Sequence, residues 1–243
     1  MTRTSTRKGG DAMRTHLQEV EERNQGVLEE VAERMHETVR SGGLIHTTGT
    51  GHSQAMVLET FYRAGGLACV RPIVHPALDP FGGAMASTRL ERVEGLGALL
   101  VEAASPVSGE TAFIFSNSGT NPVPVEMAEA FTAAGTTVVA VSSVEHMSRA
   151  PIRARHKLGD VADYVIDTGT PYGDAFWPTD DTVIAPLSSL TGTFVWNLLL
   201  IRVAAHAERD GTALPVWASA NVEGGEERNR ATRDRYRSRI PML

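Results

Sequence analysis

Residues 111–122 read TAFIFSNSGTNP, an apolar run followed by a short polar loop. Apolar and β-branched residues at 111–115 are typical of a strand, and a helical pattern begins after the loop at residue 123. A strand that turns through glycine and hydroxyl residues into the start of a helix forms an anion site. The reason is that the first N–H groups of the helix have no intrahelical partner and the helix dipole favours negative charge.

Residues 47–53 read TTGTGHS and have the same character. They follow the apolar pair 44–45 and lead into a second helical pattern. Serine and threonine hydroxyls supply further hydrogen-bond donors in both loops. Two such loops in one α/β unit indicate a pocket for a small phosphorylated ligand.

Strands and helices alternate along the chain, which predicts a single three-layer α/β/α domain with a five-stranded parallel sheet. The loops after the first and third strands should flank the topological switch point, where open sheets bind ligands. The predicted strands are 44–48, 68–74, 111–115, 137–141 and 164–167, and the predicted helices are 53–64, 89–103, 123–134, 187–208 and a tail from residue 223.

The N-terminal region divides into two parts. Residues 1–10 are polar and basic and are expected to be disordered, whereas residues 11–40 carry apolar side chains at helical spacing. Gly26 interrupts that spacing and is expected to divide the segment. Because the apolar stripe is wide, we expect this helical segment to pack against a partner subunit.

Composition limits the classes of function. The chain has 243 residues, 42% of them hydrophobic, a net charge of −6 and one cysteine, Cys69, in an apolar run. These properties predict a cytoplasmic protein without disulfides, a signal peptide or a membrane span. No nucleic-acid partner is expected, because acidic residues interleave with the arginines of the tail at 228–239.

A nucleotide-binding function is not supported. Gly49 and Gly51 resemble the start of a dinucleotide fingerprint, but Gln54 stands where the third glycine belongs. Residues 71–75 at the end of the second predicted strand provide no acid for a ribose, and the sequence contains no P-loop motif.

The two loops and the order of elements resemble the SIS (sugar isomerase) domain, which has a flavodoxin-like fold. The resemblance runs from about residue 41 to residue 225. It is strongest to SIS-domain phosphosugar-binding proteins that carry N-S-G-x-N-x-V-P-x-E (117–126), G-D-A (173–175) and N-V-x-G-G (221–225). More distantly, the chain is similar to arabinose-5-phosphate and phosphoheptose isomerases.

The resemblance implies a phosphorylated sugar as ligand and a homodimer or homotetramer as assembly. No cofactor is expected, and no metal is expected because no local spacing of ligand residues supports a metal site. Ser116, Ser118 and Asn121 would hold the phosphate, and His52 and Ser53 would hold the sugar. The full set of implied binding residues is Gly51, His52, Ser53, Ser116, Asn117, Ser118, Gly119, Thr120, Asn121 and Ser188.

Two departures from the isomerases affect catalysis. Thr120 replaces a glutamate, and the segment 221–223 replaces a histidine. Because an enediolate mechanism needs a base, the carboxylates Glu59 and Glu223 become the candidates, with Glu59 preferred. The alternative for Glu59 is an ion pair with Arg63 one helical turn away. An aspartate at position 174 is expected to serve a turn or a cap.

Three functions follow from the resemblance. The first is an aldose–ketose isomerase that works through an enediolate. The second is a non-catalytic phosphosugar sensor, which the missing histidine favours and the absence of a helix-turn-helix module disfavours. The third is a lyase or etherase that acts on an amino-sugar phosphate, because a carboxylate base can also drive β-elimination.

Overall fold

The computed structural model describes residues 3–179 and 181–243. The strands are β1 (Ile45–Gly49), β2 (Val70–Ile73), β3 (Thr111–Phe115), β4 (Thr137–Ser142), β5 (Tyr164–Asp167), β6 (Ala175–Pro178) and β7 (Val183–Pro186). The helices are α1 (Arg3–Arg40), α2 (Gln54–Thr60), α3 (Ala84–Leu90), α4 (Leu96–Ala104), α5 (Pro122–Ala133), α6 (Val144–Arg149), α7 (Leu158–Val161), α8 (Ser188–Asp210) and α9 (Gly225–Tyr236).

Five parallel strands form the central sheet in the order β2-β1-β3-β4-β5. Side chains of β3 alternate between two apolar layers, because successive residues of a strand point to opposite faces. Phe113 and Phe115 pack in one layer with α1 and α8, whereas Ala112 and Ile114 pack in the other with α4 and α5. The sheet is covered on both faces, so the predicted three-layer fold is confirmed.

The N-terminal helix α1 corrects two expectations from the sequence. It begins at Arg3, so residues 3–10 are helical, although the sequence predicted disorder there; Met1 and Thr2 lie outside the described residues. It also continues through Gly26, because one glycine costs only about 1 kcal/mol relative to alanine and tertiary packing on either side outweighs that cost.

The apolar stripe of α1 lies inside its own chain. Val20, Leu28, Val31 and Met35 are fully buried in the layer that α8 and β5 also line. Asn24 adds a polar attachment, since its Nδ2 donates to the Asp167 carbonyl at the end of β5 over 2.8 Å. The stripe therefore needs no partner subunit to cover it, and the reason given for an interface on this helix was wrong.

The helix boundaries differ most from the predicted ones where the chain turns sharply. The single helix predicted for 89–103 is two helices, α3 and α4, because Gly95 adopts a left-handed conformation with φ of 84°. The sequence did not predict the antiparallel hairpin of β6 and β7 within the loop rich in glycine, proline and aspartate. The strand at 164–167 and the long helix α8 are confirmed.

Helix α8 has 23 residues and is, by length and composition alone, apolar enough to cross a membrane. Core helices of globular domains pass the same test. Here Val195, Trp196, Leu199 and Val203 pack in the layer shared with α1. Cys69 lies fully buried in the same layer, and burial raises the pKa of its thiol to about 12, so it acts as a small core residue.

A cluster of charged groups around Glu110 holds Arg239, near the C-terminus, at the amino ends of β1 and β3. Glu110, just before β3, accepts hydrogen bonds from His46 Nε2 at 2.8 Å, Arg239 Nη1 at 2.7 Å and the backbone N–H groups of Leu44 and Val107. Burial opposes ionisation of this carboxyl, but the hydrogen bonds outweigh burial and lower its pKa to about 2. Glu110 is therefore an ionised structural residue.

Candidate functional site

The two polar loops meet at the carboxyl edge of the sheet. β1 lies next to β3, and the order of strands reverses between them, as predicted. Gly49 ends β1 where a Cβ atom would lie 3.0 Å from the Ser53 carbonyl oxygen and 3.1 Å from that of Phe115. Only glycine allows the two loops to approach so closely. The point where the strand order reverses therefore lies between the two polar loops, which is where open sheets bind ligands.

The loop after β3, residues 116–121, is a preformed turn that delivers the chain to α5. Ser116 accepts a hydrogen bond from the Gly119 N–H at 3.2 Å, and the Gly119 carbonyl accepts from Leu158 at 2.8 Å. Gly119 has a φ of 57°, and a Cβ atom there would lie 2.9 Å from the sulfur of Met147. The tight turn therefore requires glycine at this position.

Helix α5 begins at Pro122 with Asn121 at its N-cap, but the Asn121 side chain makes no capping hydrogen bond. Its carbonyl oxygen Oδ1 instead accepts from Arg153 Nη1 at 3.3 Å. The Thr120 hydroxyl is buried without a hydrogen-bond partner in the part of the chain that the structure describes. The first turn of α5 offers no free N–H group, because Pro122 and Pro124 lack one and the Val123 N–H donates to the Glu91 carbonyl at 3.2 Å. The donors at this helix start are therefore the Asn121 amide nitrogen and the Arg153 guanidinium.

The two serines of this loop differ in their surroundings. Ser116 is buried and its oxygen already receives the Gly119 N–H, so it supports the turn as well as presenting a hydroxyl. Ser118 is half-buried, and among the described residues its hydroxyl makes no hydrogen bond. The Ser118 hydroxyl is therefore available to a ligand.

Asn117 connects this loop to two others. Its Oδ1 accepts from the Thr170 hydroxyl at 2.6 Å, and its Nδ2 lies 3.1 Å from Nδ1 of His146 on α6. The Asn117 carbonyl accepts from the Ser143 N–H at 3.2 Å. The loops after β3, β4 and β5 therefore form one hydrogen-bonded unit.

The loop after β1 is the second polar loop at this edge of the sheet. Gly51 has a φ of 57°, which lets the chain turn into a short 3-10 helix, Gly51–Ser53. His52 is exposed and Ser53 half-buried. The Thr50 hydroxyl donates to Glu91 at 3.0 Å, and Glu91, Gly51 and His52 share a cavity of about 240 Å³.

A larger and mostly apolar cavity of about 580 Å³ lies on the other side of the same turn. Gly51 and His52 line both cavities. Side chains of α2 and of the segment 72–81 form most of the larger one, and Met242 reaches it from the C-terminus. Glu59 lines neither cavity.

The two carboxylates predicted as the base lie on different segments of the chain, α2 and the turn before α9. Glu59, on α2, forms an ion pair with Arg63, which lies just beyond the end of that helix, and 17% of the Glu59 side chain is exposed. Glu223 is exposed in the turn before α9. The ion pair that was the alternative for Glu59 is present in the structure.

Ser188 and Asp174 form a cap. Both Oδ1 and Oδ2 of Asp174 are used, since Oδ1 accepts from the Ser188 N–H at 2.8 Å and Oδ2 accepts from its hydroxyl at 2.6 Å. Asp174 also has a φ of 67°, so the predicted turn and cap function is confirmed. The Ser188 hydroxyl, expected to bind substrate, is occupied by this aspartate.

Sequence reasoning missed His146, Arg153, Thr170 and Glu91 at this edge. His146 lies on α6, Glu91 directly follows α3, and Arg153 and Thr170 lie in loops; none of them belongs to a local motif. The available signal was topological: residues 143–149 follow β4, whose carboxyl end lies beside that of β3. Among residues 3–179 and 181–243, no three His, Cys, Asp or Glu side chains gather in a way that could hold a metal ion.

Comparison with known proteins identifies the family of the chain. A model of the SIS domain matches residues 10–143, which include both polar loops. The chain belongs to the SIS domain family. The SIS-domain protein is 34% identical over 222 residues to a UPF0309 protein of Listeria innocua, with 89% of each chain covered. It is 35% identical to a UPF0309 protein of Geobacillus thermodenitrificans, with 89% of this chain and 88% of that protein covered.

Solved structures of phosphoheptose isomerases share the fold. The isomerase GmhA of Neisseria gonorrhoeae superposes with a TM-score of 0.51 at 15% identity, covering 86% of the SIS-domain protein and 97% of GmhA. The enzyme of Francisella tularensis gives a TM-score of 0.50 at 14% identity, covering 84% and 100%. At these identities the match establishes the fold of the SIS-domain protein.

Proposed function

We propose that this SIS-domain protein binds a phosphorylated sugar and interconverts its aldose and ketose forms through an enediolate. The observation that carries the proposal is the preformed turn at residues 116–121, which presents the Ser118 hydroxyl and the Asn121 amide beside Arg153. A dianionic phosphate is complementary to that arrangement. The SIS domain is also the domain of the phosphoheptose isomerases that share its fold.

Phosphate binding uses groups that the structure leaves free. Ser118 donates to a phosphate oxygen through its hydroxyl, and Asn121 donates through its amide nitrogen because Arg153 occupies its carbonyl oxygen. Arg153 itself makes no ion pair with a carboxylate among the described residues. Its guanidinium therefore adds a positive charge at the anion site without neutralisation by the protein.

The sugar extends from the phosphate toward the loop after β1. His52 and Ser53 contact its hydroxyls there, and Glu59 on α2 is the preferred base for proton transfer between C1 and C2. Glu223 is the second candidate. Glu223 is exposed, and in the homodimer or homotetramer that we propose it serves the site of the neighbouring subunit.

A non-catalytic phosphosugar sensor is the second candidate function. Two observations favour it: Glu59 is held in an ion pair with Arg63, and Glu223 is exposed to solvent. Among the described residues neither carboxylate makes a hydrogen bond or an ion pair with the loop at residues 116–121. A sensor would keep the phosphate site and lack the base.

Solvent exchange separates the two functions. The protein is first screened by thermal shift against ribose 5-phosphate, glucose 6-phosphate and N-acetylglucosamine 6-phosphate, since a ligand of the folded state raises Tm. Ligands that bind are then incubated with the protein in deuterated water. Deuterium at C2 supports the isomerase, whereas binding without exchange supports the sensor.

Variants identify the base in the same assay. Glu59→Gln keeps the shape of the side chain but removes its basic oxygen, so it should abolish exchange and leave phosphosugar affinity nearly unchanged. Glu37→Gln is the matched control, because Glu37 also forms a helical ion pair, with Arg34, on the exposed surface of α1. Wild-type exchange in both Glu59→Gln and Glu223→Gln would exclude both carboxylates as the base.

A further inference from the structure

The smaller cavity, of about 240 Å³, lies between the loop after β1 and helix α3. Thr50 and His52 line it from the loop, and Ser87, Thr88 and Glu91 line it from α3 and the residue that follows this helix. These side chains carry hydroxyls, an imidazole and one carboxylate, which are groups that hydrogen-bond to sugar hydroxyls. The proposed function uses His52 of this set and leaves Glu91 without a role.

Glu91 connects the two polar loops. Its backbone carbonyl accepts from the Val123 N–H at 3.2 Å, and Val123 is two residues after Asn121, whose amide is proposed to hold the phosphate. Its side chain ends at the other loop, where Oε2 accepts from the Thr50 hydroxyl at 3.0 Å. The side chain therefore runs from the start of α5 toward the loop after β1. A sugar whose phosphate is bound at residues 116–121 is proposed to extend in the same direction.

Three hydrogen bonds fix the position of Glu91. Besides those to its carbonyl and its carboxylate, its N–H donates to the Ser87 carbonyl at 3.0 Å, which makes Glu91 the C-cap of α3. Ser87 in turn attaches α3 to the segment before it, because its hydroxyl donates to the Leu78 carbonyl at 2.9 Å. The carboxylate is thus held in place before a ligand binds, so little further ordering is needed on binding.

One carboxylate oxygen of Glu91 is left for a ligand. Glu91 is half-buried, and among residues 3–179 and 181–243 its Oε1 makes no hydrogen bond and its carboxylate makes no ion pair. An ionised carboxylate only accepts hydrogen bonds. A group that binds to Oε1 must therefore donate, as a sugar hydroxyl does, whereas a second anion at this position would be repelled.

The site carries opposite charges at its two ends. Arg153 lies beside the loop at residues 116–121 and makes no ion pair among the described residues, whereas Glu91 lies beside the loop after β1. The arginine end attracts a phosphate, and the glutamate end accepts hydrogen bonds from neutral hydroxyls. The arrangement is complementary to a ligand with one phosphate and one uncharged polyol end.

We propose that Glu91 is a specificity-determining residue of the site. Its carboxylate accepts hydrogen bonds from the hydroxyls at the end of the phosphosugar remote from the phosphate, and it excludes sugars that carry a second anionic group at that end. The inference rests on the proposed function and narrows the substrate class to sugar monophosphates, as against sugar bisphosphates and phosphorylated sugar acids. It requires no proton transfer by Glu91, so it applies to an isomerase and to a sensor alike.

Matched ligands test the effect of the charge. Each sugar of the panel that binds is paired with the acid obtained by oxidising its C1 aldehyde, which for glucose 6-phosphate is 6-phosphogluconate. Calorimetry gives the dissociation constant of both. Wild type should bind the sugar at least about 5-fold more tightly than the acid, because a unit charge 4 Å away repels by that factor even in bulk water.

The variant Glu91→Gln keeps the shape of the side chain and removes its charge. It should weaken the sugar by about 5- to 15-fold, because a charge-assisted hydrogen bond becomes a neutral one. It should at the same time bind the acid more tightly than wild type does. These opposite changes are the decisive result, since loss of a merely structural residue would weaken both ligands, and differences between ring and open-chain ligands cancel in the comparison.

Two further variants serve as controls. Glu94→Gln removes the same charge three positions later, at an exposed residue that lines a separate cavity with Arg155. It should change neither dissociation constant by more than about 2-fold, because solvent and salt screen an exposed charge. Thr50→Val removes the hydroxyl that orients the Glu91 carboxylate and keeps the charge, so it should weaken the sugar while the acid stays excluded.

The outcomes separate this inference from the proposed function. Equal weakening of the sugar and the acid in Glu91→Gln, or changes no larger than those in Glu94→Gln, would overturn the role of Glu91 while phosphosugar binding stands. Wild type that binds the acid as tightly as the sugar would overturn it as well. Failure to bind any phosphosugar of the panel would overturn the proposed function and the inference together.

Discussion

Arg153 is bonded to the N-cap residue of α5: its Nη1 lies 3.3 Å from Oδ1 of Asn121, and its backbone N–H donates to the Thr120 carbonyl at 3.1 Å. A cation at the positive end of a helix dipole is unfavourable by itself. An anion bound by the guanidinium at this end of the helix would remove that repulsion. The pair therefore marks the phosphate position more specifically than the serines alone.

Arg153→Gln should weaken phosphosugar binding by about 5- to 30-fold, because one charge-assisted hydrogen bond to phosphate is lost from a partly solvated site. The loss should shrink at high salt, since ions screen exposed charges. Isothermal titration calorimetry at two salt concentrations measures both effects. Arg155→Gln is the control, because Arg155 lines a separate cavity with Glu94 and Glu126; equal losses in the two variants would remove Arg153 from the site.

Leu28→Ala should destabilise the folded protein by about 2–5 kcal/mol, the usual cost of emptying a fully buried leucine site. Leu28 lies in the layer that α1 shares with α8. Urea unfolding measures the loss, and light scattering should show an unchanged oligomeric state, because the side chain packs inside its own chain. Leu99→Ala, at a leucine that is 62% exposed on α4, should change stability by less than about 0.5 kcal/mol.

Glu110→Gln should lower the free energy of unfolding by about 3 kcal/mol at neutral pH. The pKa of Glu110 is about 2 in the folded protein against an ordinary value of 4.5, and each unit is worth about 1.4 kcal/mol. Because the folded pKa is depressed, this stabilisation is fully present above the ordinary value and is lost as the pH falls toward 2.

Denaturant unfolding at several pH values checks the sign. The difference in the free energy of unfolding between wild type and Glu110→Gln should be constant near neutral pH and should become smaller as the pH falls below 4.5. Glu37→Gln, which breaks an exposed ion pair with Arg34, should cost less than about 1 kcal/mol. A Glu110 variant as stable as this control would contradict the structural role of the cluster.

The sequence predicted the sheet well because its strands are buried on both faces. The run Phe113–Phe115 and the β-branched residues of β4 are recognisable without a partner, and both strands are where the sequence placed them. Gly26 was misleading because its helix-propensity cost of about 1 kcal/mol is small compared with the free energy gained by burying Val20 and Leu28 of α1 in the layer that α1 shares with α8. The hairpin of β6 and β7 was missed because both strands are short and end in proline.

The polar loops of the site were predictable because each is a continuous segment between a strand and a helix. The contact between Asn117 and His146 was not, since 29 positions separate them and only the pairing of β3 with β4 brings them together. The contact between Arg153 and Asn121 was missed for the same reason, since 32 positions separate the two residues. The ion pair that engages Glu59 was predictable as an alternative, because Arg63 follows at helical spacing.

The most direct measurement of the central claim is calorimetric binding of a phosphosugar and of its unphosphorylated sugar to wild type, Ser118→Ala and the double variant Ser116→Ala/Ser118→Ala. The double variant should lose about 2–4 kcal/mol of binding free energy for the phosphosugar, corresponding to two charge-assisted hydrogen bonds. Ser118→Ala should lose part of this without loosening the turn, because Ser116 alone receives the Gly119 N–H. The unphosphorylated sugar should bind equally poorly to all three proteins, whereas wild-type phosphosugar affinity in the double variant would contradict phosphate binding at this loop.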